Sequence, residues 1–251
     1  MMVFKMSGIV KRFGGLVALD HVDFVVATGE VMALVGDNGA GKSTLIKTMS
    51  GAHSPDAGTI EMEGRQVRFR SPQEAWESGI ATIYQELALA GKMTVADNIF
   101  LGRELKRPML GIPFLDRSAM RKRTAELLHQ LDVHVPSIDS WVESMSGGQR
   151  QGVAIARALN MDARLIIMDE PTAALAVAEV RKVLDFIVRL RAQGKSVVLI
   201  SHNIQDVFEV SDRISVMRHG RCIAVRETRN TTPQEIIGLI TGAYEVRANA
   251  S

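Results

Sequence analysis

The stretch VMALVGDNGAGKSTLIKTM, residues 31–49, decides the fold. Its first five residues, Val31 to Val35, form an unbroken apolar run, the pattern of a parallel strand buried on both faces. Gly36-Asp37-Asn38-Gly39-Ala40-Gly41-Lys42-Ser43-Thr44 follows directly, and Leu45, Ile46 and Met49 then predict an apolar helix. The pattern G-x-x-x-x-G-K-S thus stands between a buried strand and a helix start, the context its chemistry requires. Glycines let the backbone curl until its N–H groups converge on phosphate oxygens, and the helix N-terminus adds partial positive charge. Lys42 can reach the β- and γ-phosphates of a nucleotide, and the Ser43 hydroxyl can ligate Mg²⁺. The strand–loop–helix context sets aside a plain glycine turn, so the stretch reads as a nucleotide site.

Two more apolar runs, Leu165-Ile166-Ile167-Met168 and Val197-Val198-Leu199-Ile200, have the same buried-strand character. Apolar residues alternate instead in Val22-Asp23-Phe24-Val25-Val26 and around Ile60 and Met62, where Glu63-Gly64-Arg65 offers a hairpin turn. These predict half-exposed antiparallel strands. Ser71-Pro72-Gln73-Glu74 predicts a helix start, with serine as N-cap, proline at the first helical position and glutamate at the third, and Gly79 as a stop. Val180, Val183, Leu184, Ile187 and Val188 recur at helical spacing before Gly194. Residues from roughly 88 to 160 carry no buried-strand pattern and read as mostly helical. The plan is α/β, with a parallel core, an antiparallel flank and a helical insertion.

The bulk composition narrows the partners. The chain has 251 residues, 46% of them hydrophobic and 23% charged, which suits a soluble globular protein with a sizeable core. Lys and Arg total 30 against 28 Asp and Glu, too even a balance to imply nucleic-acid binding. One cysteine, Cys222, excludes an internal disulfide framework and fits a reducing cytosol. No signal-peptide pattern and no membrane-spanning apolar run is present, so any work at a membrane is expected from its surface.

Leu165-Ile166-Ile167-Met168-Asp169-Glu170 places two carboxylates at the C-terminal end of a buried strand, where open α/β sheets bind ligands. Asp169 suits direct or second-layer contact with Mg²⁺, a hard cation that takes oxygen ligands. Glu170 is then free to orient and deprotonate an attacking water. The next buried strand ends in Ser201-His202, and Gln85 follows another short apolar strand, Ile80 to Tyr84, from which it could reach the metal or the lytic water.

One motif remains: SMSGGQRQ, residues 144–151, a second stretch suited to holding phosphate. The ordered set Gly36–Thr44, Gln85, Ser146-Gly147-Gly148-Gln149, Asp169-Glu170 and His202 resembles the ATP-binding subunits of ABC transporters over essentially the whole chain. The resemblance implies a P-loop NTPase core, about 1–87 and 161–243, with an N-terminal antiparallel β subdomain and a helical subdomain at about 88–160. It implies ATP and Mg²⁺ as cofactors, with Ser43, Gln85 and Asp169 toward the metal. By position, Phe13 would stack on adenine, Gln85 would sense metal and membrane partner, Glu170 would be the general base and His202 would contact the γ-phosphate. In the family two domains meet head to tail, so SMSGGQRQ would complete a neighbour's site and a homodimer is expected. Two departures stand out. Met145 replaces the usual leucine, a volume-conserving change. Ala176 occupies a position where many members carry an aspartate that couples the two sites.

SPQEAWESGIATIYQELALA, TVADNIFLGRE and LISHNIQDVFEVSDRISVMRHGR look like the monosaccharide-importer branch, the ribose, xylose, galactose and fructose systems. That implies an integral-membrane permease, an indirect periplasmic or extracellular sugar-binding protein, and a peripheral place on the cytoplasmic face of the inner membrane. A soluble ABC ATPase of the iron–sulfur-assembly type is the alternative. Segment 103–123 carries Arg103, Lys106, Arg107, Arg117, Arg121, Lys122 and Arg123 against Glu104 and Asp116. It reads either as a solvated helix face or as a surface toward anionic headgroups or the permease.

Overall fold

The structure is a computed structural model that describes residues 1–109, 112–173 and 175–244. In chain order its elements are β1 (Met2–Phe13), β2 (Leu16–Ala27), β3 (Val31–Gly36), α1 (Lys42–Met49), β4 (Ala57–Met62), β5 (Arg65–Val67), α2 (Pro72–Glu77), β6 (Ile80–Ile83) and α3 (Val95–Phe100). Then follow β7 (Lys106–Met109), β8 (Ile112–Leu115), α4 (Arg117–Leu131), α5 (Gly147–Asn160), β9 (Leu165–Asp169), α6 (Val177–Ala192), β10 (Ser196–Ile200), α7 (Ile204–Val210), β11 (Arg213–Arg218), β12 (Arg221–Glu227) and α8 (Pro233–Thr241).

The expected apolar runs build one sheet, in the order β12-β11-β3-β10-β9-β6, in which only β12 runs antiparallel to its neighbour. All six residues of β3 are buried, as the unbroken run predicts. Side chains along a strand alternate between faces, and the strands divide accordingly. Val31, Ile166, Met168, Val197 and Leu199 pack under α5 and α6 on one face. Met32, Leu34, Leu165, Ile167, Val198 and Ile200 pack on the other face against α1 and the second sheet. That second sheet, β2-β1-β4-β5, is antiparallel and carries the alternating burial read in residues 22–26. Each fully buried Val, Leu or Ile side chain contributes about 1.5–3 kcal/mol, so the two faces together dominate stability.

Helix signals hold locally. Ser71 Oγ accepts from the Glu74 N–H at 3.3 Å, Pro72 opens α2, and Gly79 ends it with φ of 91°. Register then fixes the functional edge: Ile200 lies beside Asp169 on one side and Leu34 on the other. The loops after β3, β9 and β10 therefore leave the sheet side by side.

The middle of the chain differs from its reading in one respect. α3, α4 and α5 are helices, but residues 106–109 and 112–115 pair as an antiparallel ribbon, Lys106 opposite Leu115 and Pro108 opposite Pro113. Pro108 and Pro113 disfavour a helix interior there. The described side chains on both strands are exposed, so no buried alternation marks the ribbon in the sequence. The cations of 103–123 thus do not share one helix face. Only Arg117, Arg121, Lys122 and Arg123 lie on α4, which Asp116 caps by accepting the Ala119 N–H at 3.0 Å.

Candidate functional site

The glycine loop after β3 is shaped by close approach. A Cβ on Gly36 would lie 2.4 Å from the Met217 carbonyl oxygen, and one on Gly41 2.8 Å from the Ala18 carbonyl oxygen, with Gly41 at φ of 102°. Gly220 N–H donates to the Ala40 carbonyl at 3.0 Å, pinning the loop to the turn between β11 and β12. α1 begins at Lys42 with no side chain capping its first turn, which leaves those backbone donors for a ligand. The Lys42 ammonium is buried and donates to the carbonyls of Gly36 at 2.7 Å and Asp37 at 2.9 Å. Burial lowers its pKa, against the opposing pull of Glu170, Asp37 and Asp169.

Asn38, Gly39, Ala40, Gly41, Lys42, Ser43 and Thr44 line a cleft of about 490 Å³ together with Asp169, Glu170 and His202. Its volume lies within the range of small-molecule sites. Three separate strand ends supply those residues, as the sheet register requires. Asp169, half-buried, has its pKa raised by burial and then by the Glu170 charge, with Lys42, His202 and Lys47 pulling the other way. A half-buried carboxylate beside the exposed Ser43 hydroxyl is a hard-oxygen donor set that fits Mg²⁺.

Glu170 sits in the left-handed region, φ 50°, unusual for a side-chain-bearing residue. Its N–H donates to the Ile200 carbonyl at 3.0 Å, and its carbonyl accepts from Ala173 N–H at 3.1 Å. Those bonds hold a conformation that costs on the order of 1 kcal/mol. Its Oε1 lies 2.7 Å from His202 Nε2. Behind the pair, buried Asp206 accepts from Thr172 Oγ1 at 2.8 Å and from Asn203 Nδ2 at 2.9 Å, tying the exit of β9 to the exit of β10. Sequence reading missed Asp206; its only local signal is a carboxylate in the first turn of α7.

Gly36 and Asp37 precede the lining residues of this cleft, and Phe13, Gln85 and the Ser-Gly-Gly-Gln motif stand outside it. Phe13 is 44% exposed, its ring edge-on to His53 with centroids 5.2 Å apart, while Leu16, Val17 and Ala18 form the apolar wall. Gln85 lines a second cleft of about 680 Å³ with Gly147, Gln151, Glu179 and, at its border with the first, Glu170. The Ser-Gly-Gly-Gln motif opens α5: Ser146 Oγ accepts from Gln149 N–H at 3.3 Å, and Gln149 Oε1 accepts from Ser146 N–H at 3.0 Å. None of the four motif residues lines the glycine-loop cleft. Gly148 N–H donates to Glu179 Oε1 at 3.1 Å, a second contact the sequence did not reveal.

Comparison with known proteins identifies the family. Residues 19–173 match the family described as ABC transporter. The chain is 49% identical to the fructose import ATP-binding protein FrcA of Rhizobium meliloti, over 97% of this chain and 95% of that one. It is 47% identical to the xylose/arabinose import ATP-binding protein XylG of Sulfolobus acidocaldarius, over 92% and 90%. Among solved structures, a nucleotide-free ATP-binding cassette from an ABC transporter superposes with a TM-score of 0.82 at 28% identity, covering 96% of each chain. The chain belongs to the ABC transporter family, and its fold is that of the family's ATP-binding cassettes.

Proposed function

We propose that this chain is the ATP-hydrolysing subunit of an ABC importer, energising uptake of a monosaccharide through a separate membrane permease. Near-full-length similarity to fructose and xylose/arabinose import ATP-binding proteins supports the substrate class and favours import over a soluble assembly ATPase. The observation that carries the chemistry is the Glu170–His202 pair facing Lys42 and the glycine loop across one cleft.

ATP lies with its phosphates along the loop, held by backbone N–H groups and Lys42. Ser43 and Asp169 would hold Mg²⁺, with Gln85 able to approach it; when bound, the ion would supply positive charge beside the phosphates. Glu170 accepts the proton of the attacking water, and His202 orients that carboxylate and meets the γ-phosphate. Phe13 remains the proposed adenine platform beside Leu16 and Val17. Ser146, Gly147, Gly148 and Gln149 do not line their own chain's glycine-loop cleft, and on this reading they close over ATP bound by a second copy. Two copies make two equal sites, an isologous pair.

No helix among the described residues is long and apolar enough to cross a membrane. The proposed place is peripheral, on the cytoplasmic face of the cell membrane beside the permease, with a sugar-binding protein acting indirectly from the other side. Arg121 pairs with Asp139 and Arg123 with Glu126, so Lys106 and Arg107 on the exposed ribbon, opposite Leu115 and Phe114, are the better candidates for headgroup contact. The test is affinity isolation of tagged Glu170→Gln from native membranes with ATP. Co-purification of a multispanning protein supports import; recovery of soluble proteins alone overturns it and leaves the ATPase reading standing.

A further inference from the structure

The signature motif is not empty of charge in the single chain. Glu179 Oε1 accepts the Gly148 N–H at 3.1 Å, at the open end of the 14-residue helix α5. The carboxylate lies so close that a Cβ on Gly147 would stand 3.4 Å from Glu179 Oε2, and one on Gly148 3.3 Å from Oε1. The two glycines therefore admit an anion to the helix start, and an anion is already there. Its pKa is depressed, first by the Gly148 N–H and then by the Ser146 hydroxyl. A second observation points to a ligand on this side. Gln151, one turn further along α5, is 3% exposed and lines the same cleft as Glu179 and Gly147, yet its Nε2 has no hydrogen-bond partner among the described residues.

We propose that Glu179 is an internal stand-in for phosphate: it holds the Gly148 N–H of the signature in the unpaired chain, and the γ-phosphate of ATP on a second copy must displace it for the pair to close. This rests on the shared-site reading above and adds its regulation. Two anions cannot share one set of donors, because like charges at contact distance repel. Glu179 also has a mechanical link to the hydrolytic end. It lies in the first turn of α6, its N–H donating to the Ala176 carbonyl at 2.8 Å. Ala176 caps that helix with no side-chain bond, and Leu175 packs against Gly147, where a Cβ would meet it at 2.7 Å. The signature thus meets Leu175, just before α6, and Glu179 in the first turn of α6.

The test is sedimentation equilibrium of the full chain in the Glu170→Gln background, with and without ATP, comparing Glu179 with Glu179→Gln and Glu179→Ala. A helix N-terminus favours a carboxylate by a few-fold, so freeing two sites per pair should tighten the ATP-dependent dimer constant by roughly tenfold. In the Glu170-containing chain, Glu179→Gln should lower KM for ATP by a larger factor than it changes kcat, a split that simple damage to α6 would not give. Melting of the nucleotide-free variants checks the fold, and the two substitutions guard against failure of either one. Unchanged or weaker pairing in the folded variants overturns the proposal. If Glu170→Gln with native Glu179 does not pair on ATP at any concentration, the shared-site reading fails first and takes this inference with it.

Discussion

Glu170 joins a chemical role to a backbone cost, and substitution separates the two. Glu170→Gln keeps the size and the left-handed φ of 50° but removes the proton acceptor that faces His202 at 2.7 Å. A positioned general base contributes about 10²–10⁴ in rate. Turnover should fall by that factor, equivalent to roughly 3–5 kcal/mol in the barrier, while ATP affinity, set by the glycine loop and Lys42, stays within a few-fold. Stability should hardly change, since Gln pays the same backbone strain. Glu170→Gly and Glu170→Ala then isolate that strain. Both lack the base, but glycine adopts positive φ freely, so the Gly variant should be more stable than the Ala variant by about 1 kcal/mol. For a chain of this size that is roughly 2–4 °C in Tm. The assays are steady-state phosphate release, fluorescent-ATP titration and thermal melts. A Glu170→Gln enzyme retaining more than a tenth of wild-type turnover would refute the base assignment. A Gly variant less stable than the Ala variant would refute the strain argument.

Other sites give independent checks. Gly36→Ala places a methyl 2.4 Å from the Met217 carbonyl and should destabilise by about 1–3 kcal/mol, with loss of ATP binding, read by melts and nucleotide titration. Leu199→Ala, in the fully buried β10, should cost about 2–5 kcal/mol in denaturant unfolding while ATP contacts persist at saturating nucleotide. Glu235 is held below its ordinary value of 4.5 by Arg226 first and Thr231 second, joining β12 to α8. A lowered carboxylate pKa stabilises the fold above that value and the contribution fades as pH falls below it, so Arg226→Ala should shift acid unfolding to higher pH. Lys106→Glu with Arg107→Glu should weaken recovery on anionic membranes without changing ATP binding, checked by flotation with anionic vesicles.

The parts of the fold legible in the sequence are those in which burial leaves a pattern. β3, β9 and β10 announce themselves because both faces are covered and nearly every position is apolar. β2 shows alternation because one face is wet. The β7–β8 ribbon is invisible because its described side chains are exposed on both strands, so no period marks it. The site divides along similar lines. Lys42, Asp169, Glu170 and His202 meet because parallel strands in register end together. The Glu179–Gly148 contact, spanning 31 residues, and the Asp206 tie, spanning 34, arise from how separate helices and loops approach one another. The first has no local signature, and the second has only the place of Asp206 in the first turn of α7.

The central claim is that each ATP site draws its two halves from different copies, because the signature residues do not line their own chain's glycine-loop cleft. Complementation tests it most directly. Lys42→Ala, defective in its own loop, is mixed in equal amounts with Ser146→Arg, defective in its signature, and phosphate release is followed. Each variant alone should be inactive. Random pairing makes half the dimers mixed, each with one intact site, so the mixture should recover about a quarter of the wild-type rate. No recovery, with both variants folded and exchanging partners, would contradict the account and place the whole site within one chain.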